Sequence, residues 1–74
     1  MSEERIGDKV LRKIYEKTVN NGIEGIDKNE IGKEVGLIDV QMDNLVEELT
    51  SEGYIKKIGS KIYLTVDGRK RAEI

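Results

Sequence analysis

The sequence predicts a small α+β domain with three helices, a two-stranded hairpin and a short final helix. Up to residue 52, apolar side chains recur at helical spacing in three segments that glycine-containing turns separate. After Gly53 the spacing of apolar residues changes from about 3.6 to two, which is typical of strands with one solvent-exposed face. No segment resembles a linker, so residues 1–74 are expected to form a single domain.

The first helix is predicted from Ser2 to Asn20, with Ser2 as its N-cap. Two apolar series at i, i+4 spacing mark this helix: Ile6, Val10 and Ile14, and Leu11, Tyr15 and Val19. At about 100° per residue the two series cover an arc of about 220°, which is wider than a surface helix needs. This width predicts either a central core helix or a homodimer contact through helix 1.

The second helix is predicted to start at Asp27 and to end at Gly36. The turn sequence NNGIEG at 20–25 ends the first helix and is expected to leave a short extended piece over residues 23–26. Asp27 and Glu30 have the spacing of a capping box, in which each side chain bonds a backbone N–H of the first turn. Gly32 costs a helix about 1 kcal/mol relative to Ala, so it predicts a close approach by another helix.

The third helix is predicted over DVQMDNLVEELTSE, residues 39–52, with Asp39 as its cap. Its outer face is polar and acidic, and it contains neither Lys nor Arg. Its inner face is a narrow apolar stripe formed by Met42, Leu45, Val46 and Leu49.

The segment YIKKIGSKIYLT, residues 54–65, predicts a hairpin with Gly59 and Ser60 in the turn. A two-residue turn there pairs Ile55 with Leu64 and Lys56 with Tyr63, so that one face of the hairpin meets the core. Thr65 is then predicted to cap a final helix that runs to the end of the chain.

The amino-acid composition limits the classes of function that we expect for this chain. The chain has no Cys, no His and no glycine-rich phosphate loop, so we expect neither an enzyme nor a bound metal or other cofactor. No apolar run approaches the roughly 20 residues that span a bilayer, and the start lacks a signal-peptide pattern. We therefore expect a cytoplasmic protein without a membrane partner. Abundant Lys and Glu, with no Phe, Trp or Pro, are compatible with a thermophilic source.

Charge is distributed unevenly along the chain. The formal net charge of −2 argues against a nucleic-acid binder, because phosphate contacts normally require a basic surface. However, residues 37–53 carry −5 and residues 54–74 carry +4. The basic groups are therefore concentrated in the hairpin and the final helix, next in sequence to the most acidic segment.

The order of predicted elements resembles a winged helix-turn-helix domain. Three segments carry the resemblance without gaps: EIGKEVGL at 30–37, LVEELTSEGYI at 45–55 and YLTVDGRKR at 63–71. They are similar to the first motif helix with its turn, the end of the recognition helix, and the closing strand of the wing in small archaeal or bacterial regulators of the MarR, PadR and ArsR type. The resemblance implies a transcriptional regulator that binds double-stranded DNA.

Carried over residue by residue, the resemblance implies two sets of contacts. The positions that face the bases are Val40, Gln41, Asn44 and Glu47, with Glu48 beside them. The positions that contact phosphate or belong to the wing are Lys28, Asn29, Lys56, Lys57, Lys61, Tyr63 and Arg69. Amide side chains such as that of Asn44 pair with adenine edges, and Val40 suits a thymine methyl group.

Two other interpretations stay open. The lysines of the hairpin are also compatible with a solvated edge that resists pairing with other strands. Winged helices also serve as protein-interaction modules, in which case the acidic helix 39–52 would contact a basic protein partner and DNA would not be bound.

Overall fold

A computed structural model describes residues 5–22 and 24–73. The chain alternates helices and short strands in the predicted order. Their bounds are Ile6–Asn21 for α1, Ile26–Asp27 for β1, Lys28–Val35 for α2, Asp39–Ser51 for α3, Ile55–Ile58 for β2, Lys61–Leu64 for β3 and Val66–Ala72 for α4.

One apolar core joins the helices to the sheet. The four residues of the predicted inner face of α3 are all buried, which confirms that stripe. Burying a side chain of this size contributes roughly 1.5–3 kcal/mol. No buried polar or charged residue occurs within 5–22 and 24–73, so this core relies on packing. Its members are Val10, Leu11, Ile14, Ile26, Ile31, Met42, Leu45, Val46, Leu49, Ile55 and Ile62.

Helix α1 begins at Ile6, with Arg5 in the N-cap position, so the start that we predicted at Ser2 is wrong. The predicted cap, Ser2, lies outside the described residues. The wide apolar arc of α1 contacts α2, β3 and α4 of the same chain. Packing within one chain thus explains most of its width, although Val19 remains 52 % exposed. The homodimer contact through helix 1 stays a prediction.

Helix α2 begins as predicted, with Asp27 as its cap. The Asp27 carboxylate accepts a hydrogen bond from the backbone N–H of Asn29 at 2.8 Å. Glu30 lies 3.6 Å from the Lys17 ammonium, and Glu34 lies 2.9 Å from the same group, so these carboxylates attach α2 to α1. The hydrogen bond to Glu34 raises the pKa of Lys17 above its usual value.

The turn from α2 to α3 brings the two helices close together at Gly32. A Cβ atom on Gly32 would lie 3.3 Å from Cγ of Met42, which confirms the predicted close approach. Gly36 ends α2 with φ at 77°, in the left-handed region that favours glycine. The backbone N–H of Leu37 then donates to the Gly32 carbonyl at 2.8 Å and directs the chain into α3.

The hairpin has the predicted register, with Ile55 opposite Leu64 and Lys56 opposite Tyr63. Gly59 in its turn has φ at 63°. The sheet contains a third strand, because β1 pairs antiparallel with β3 and places Ile26 opposite Ile62. The extended piece that we predicted over 23–26 is therefore the short strand Ile26–Asp27, and residue 23 lies outside the described residues.

Helix α4 is capped by Thr65, as predicted, because the Thr65 hydroxyl accepts from the Gly68 N–H at 3.1 Å. Gly68 lies directly on the backbone carbonyl of Tyr54, where no side chain would fit. Arg71 donates from Nε to the Asp8 carboxylate at 3.0 Å. The last helix is therefore held against both the hairpin and α1.

Candidate nucleic-acid interface

The outer face of α3 presents the four predicted base-facing residues to solvent. Val40, Gln41, Asn44 and Glu47 are all exposed, and Val40 is 66 % exposed. A helix surface of this kind offers an apolar contact, two amide groups and one carboxylate, which are groups able to meet base edges in a major groove. These four residues therefore lie together on the exposed face of α3.

The start of α3 differs from the prediction and changes what Gln41 can do. Ile38 occupies the N-cap position and Asp39 is the first helical residue, so the prediction that Asp39 caps the helix is wrong. Ile38 has no side-chain acceptor, and its backbone N–H donates to Oε1 of Gln41 at 3.1 Å. Gln41 must give up this hydrogen bond before its amide can pair bidentately with a base.

The carboxylates of α3 are exposed along its whole length. Of the five acidic residues in 39–52, Asp43 forms an ion pair with a described residue, the Lys28 ammonium. Only 18 % of the Lys28 side chain is exposed, against 52 % of Asp43. Lys28, a predicted phosphate contact, is thus already paired within the chain. The partners are fifteen residues apart, and sequence spacing gave no signal of the pair.

A groove runs between the start of α2, the side of α3 and the hairpin. Lys57 projects into it, because its partner in the register is the buried Ile62 and paired residues point to the same face of a sheet. The groove therefore brings two predicted phosphate contacts, Lys28 and Lys57, beside α3. Its lining residues are Lys28, Asp43, Val46, Glu47, Thr50, Ser51 and Lys57.

The other predicted wing residues lie on the opposite side of the sheet. The Lys56 ammonium is 5.8 Å from the centroid of the Tyr63 ring, which is a cation–π distance. The Tyr63 ring lies over Gly25, where an added Cβ would be 2.6 Å from ring atoms. Arg69 lines the same depression as Lys56 and Tyr63. The structure therefore does not bring these three residues together with α3, and the basic residues that follow Gly53 lie on two sides of the sheet.

Three further basic or polar residues lie outside these two groups. Lys61 begins β3 directly after the hairpin turn and is exposed. Asn29 uses its backbone N–H for the Asp27 cap and leaves its side chain at an exposed position. Arg71 lies over the Tyr54 ring and beside Asp8, and the hydrogen bond to Asp8 raises the pKa of Arg71. Arg71 is thus committed to holding α4 in place.

Within residues 5–22 and 24–73, no helix has the length and apolar character needed to cross a membrane. The same part of the chain contains no group of three or more acidic side chains in a position to hold a metal ion.

Comparison with known proteins agrees with this geometry at the level of the fold. No protein-family model and no curated protein matches the sequence. Among solved structures, the crystal structure of a MarR family protein from Mycobacterium tuberculosis is similar, with a TM-score of 0.77 and 17 % sequence identity. The match covers 96 % of this chain and 50 % of that one, so this chain spans about half the length of its structural neighbour. The chain has a winged helix fold of the kind found in MarR family proteins.

Proposed function

We propose that this chain is a DNA-binding transcriptional regulator that docks on double-stranded DNA through α3 and the adjacent hairpin. One observation carries the proposal: within a winged helix, the exposed amide and apolar face of α3 lies beside a groove that contains Lys28 and Lys57. Side chains for base edges and cations for phosphates are thus available on the same side of the domain.

Each exposed residue of this face of α3 contacts a different chemical group on the base edges. Asn44 pairs bidentately with an adenine edge, and Val40 contacts a thymine methyl group. Gln41 joins them once it releases the Ile38 N–H. Glu47 accepts from a cytosine amino group, which is the favourable role for a carboxylate in a groove lined by phosphates. The remaining carboxylates repel DNA sequences that do not offer these contacts.

The phosphate contacts come from the edges of this face. Lys57 acts from the hairpin, and Lys28 and Asn29 act from the start of α2. The two cations on this side, Lys28 and Lys57, give a slope of up to about −1.8 when log affinity is plotted against log salt concentration. A single contact accounts for about 0.9 of that slope, which is about eightfold in affinity between 1 M and 0.1 M salt.

A pair of matched lysine variants tests this orientation. Lys57→Ala should lower affinity for a random 20-base-pair duplex about eightfold at 0.1 M salt, and should flatten the salt slope by about 0.9. Lys56→Ala removes the same charge from the neighbouring residue on the opposite face of the sheet, and should leave the slope unchanged. Fluorescence anisotropy over a range of salt concentrations measures both quantities. Equal effects of the two variants would contradict docking through the α3 side.

A protein-interaction module is the second candidate, and the acidic face of α3 favours it. Four of its five carboxylates have no ion-pair partner among the described residues, so a basic protein surface would supply the missing cations. Under this alternative, Glu47→Lys combined with Glu48→Lys abolishes capture of the basic protein partner. Under the same alternative, wild-type protein does not bind DNA at any salt concentration, so a DNA titration distinguishes the two candidate functions.

A further inference from the structure

Among the described residues, the ion pair between Lys28 and Asp43 joins the acidic helix to a predicted phosphate contact. Lys28 opens α2, and Asp43 lies on the side of α3 that faces it. Both residues line the groove that also contains Lys57. The lysine is mostly covered in this position, whereas more than half of the Asp43 side chain is exposed.

A carboxylate and a phosphate compete for the same ammonium group. Each is an anion with oxygen acceptors, and a lysine ammonium pairs with either of them as a point charge. Asp43 therefore occupies, within the folded chain, the position that a DNA phosphate would take at Lys28. The phosphate must displace the carboxylate, and the displaced carboxylate then lies close to the DNA backbone, where it is repelled.

We propose that Lys28 is a binding site for a DNA backbone phosphate, next to the phosphate that Lys57 contacts, and that Asp43 occupies Lys28 in the free protein as an internal competitor. The inference rests on the proposed function, and it adds that affinity for DNA is limited by the domain itself. Phosphate contacts carry no sequence information, so the limit applies to preferred and random DNA alike. Asp43 thus sets the overall affinity of the domain and leaves base recognition to Val40 and Asn44.

The expected gain from removing the competitor follows from the salt dependence of a single contact. A freed Lys28 can add up to one phosphate contact, which steepens the salt slope by up to about 0.9 and raises affinity up to about eightfold at 0.1 M salt. Neutralising any carboxylate of α3 also reduces its repulsion from DNA, and this raises affinity by a smaller factor. A matched acidic residue outside the ion pair measures that second contribution.

The experiment compares Asp43→Asn with Asp39→Asn, each with and without Lys28→Gln. Asp39 is one helical turn away, carries the same charge and has no ion-pair partner among the described residues, so it is the matched control. Anisotropy titrations use a labelled random 20-base-pair duplex between 0.05 and 0.5 M salt. Circular dichroism and thermal unfolding establish that each variant is folded, and Asp43→Ser provides the same measurement with a second side chain.

We expect Asp43→Asn to bind several-fold more tightly than Asp39→Asn, with a steeper salt slope. In the Lys28→Gln background the two variants should become equal, because no lysine remains to be freed. An Asp43→Asn gain that is no larger than the Asp39→Asn gain, or that persists without Lys28, would overturn the inference while leaving DNA binding intact. Absence of binding by wild type and every variant at 0.05 M salt would overturn the proposed function, and this inference with it.

Discussion

The contact between Gly68 and Tyr54 gives the sharpest prediction about stability. A Cβ atom on Gly68 would lie 1.9 Å from the Tyr54 carbonyl oxygen, 2.8 Å from its carbonyl carbon and 3.1 Å from a methyl group of Leu64. Cβ atoms essentially never approach other atoms closer than 3.0 Å, and the carbonyl belongs to the backbone, so it has no alternative rotamer. Gly68→Ala must therefore displace α4 by about 1 Å or more.

This displacement of α4 would weaken two hydrogen bonds where the hairpin meets the start of α4. The Thr65 N–H donates to the Tyr54 carbonyl at 3.1 Å, and the Thr65 hydroxyl caps α4 by accepting from the Gly68 N–H at 3.1 Å. Overpacking costs about 1–3 kcal/mol and loss of the cap about 1 kcal/mol, while the helix propensity of Ala returns about 1 kcal/mol. The expected net loss is about 1–3 kcal/mol, out of about 4–11 kcal/mol for a domain of this size.

Thermal unfolding followed by circular dichroism measures this loss as a fall in Tm of about 4–24 °C. Gly7→Ala is the matched control, because an added Cβ there would lie 3.4 Å from a Leu49 methyl group, which is ordinary contact. Gly7 lies in α1, so its replacement should leave Tm unchanged or raise it by a few degrees. A Gly68→Ala protein with the Tm of wild type would refute the packing argument, and so would equal losses in the two variants.

Three further predictions concern stability. The hydrogen bond from Tyr15 to Glu73 raises the pKa of Tyr15. This hydrogen bond therefore stabilises the fold below the usual tyrosine pKa near 10, and its contribution is lost as pH rises through the raised pKa. Denaturant titrations at pH 8–11 should show this loss, and Tyr15→Phe should make it shallower; an identical decline in both proteins would exclude the contribution. Asp27→Ala should cost about 1 kcal/mol by removing the cap of α2, whereas Asn29→Ala, which keeps the backbone donor, should cost much less. Ile62→Ala should cost about 2–5 kcal/mol, since Ile62 is fully buried between sheet and helices, and a cost under 1 kcal/mol would show that the site collapses around the smaller side chain.

The sequence predicted the elements whose signals are local. The inner stripe of α3, the Asp27 and Thr65 caps and the hairpin register all follow from residues within a few positions of one another. The start of α1 and the Asp39 cap were predicted wrongly, because several neighbouring residues could cap each helix and local propensity does not decide among them. Strand β1 was not predicted as a strand, because a strand of two residues is too short to show an alternation of apolar and polar side chains.

The sequence predicted which residues of α3 are exposed, but it did not predict how the lysines are arranged around that helix. Sequence placed Val40 and Asn44 correctly on the exposed face of α3, because helical periodicity fixes the face of each residue. It could not show which side of the sheet faces α3, and so it treated Lys56 and Lys57 as members of one surface. Alternation along a strand separates adjacent residues onto opposite faces, but only the packing of the sheet decides what each face meets.

The sequence by itself determined the α+β composition, the core stripes and the uneven charge, since these depend on residue type and spacing along the chain. Only the tertiary structure decided the pairing of charges, because Lys28 meets Asp43 across two helices and fifteen residues of intervening chain. It also decided the division of the wing lysines between two faces. Electrostatic partners depend on distance in space, and for this domain that distance is set by how α2, α3 and the hairpin pack around Met42, Val46 and Ile62.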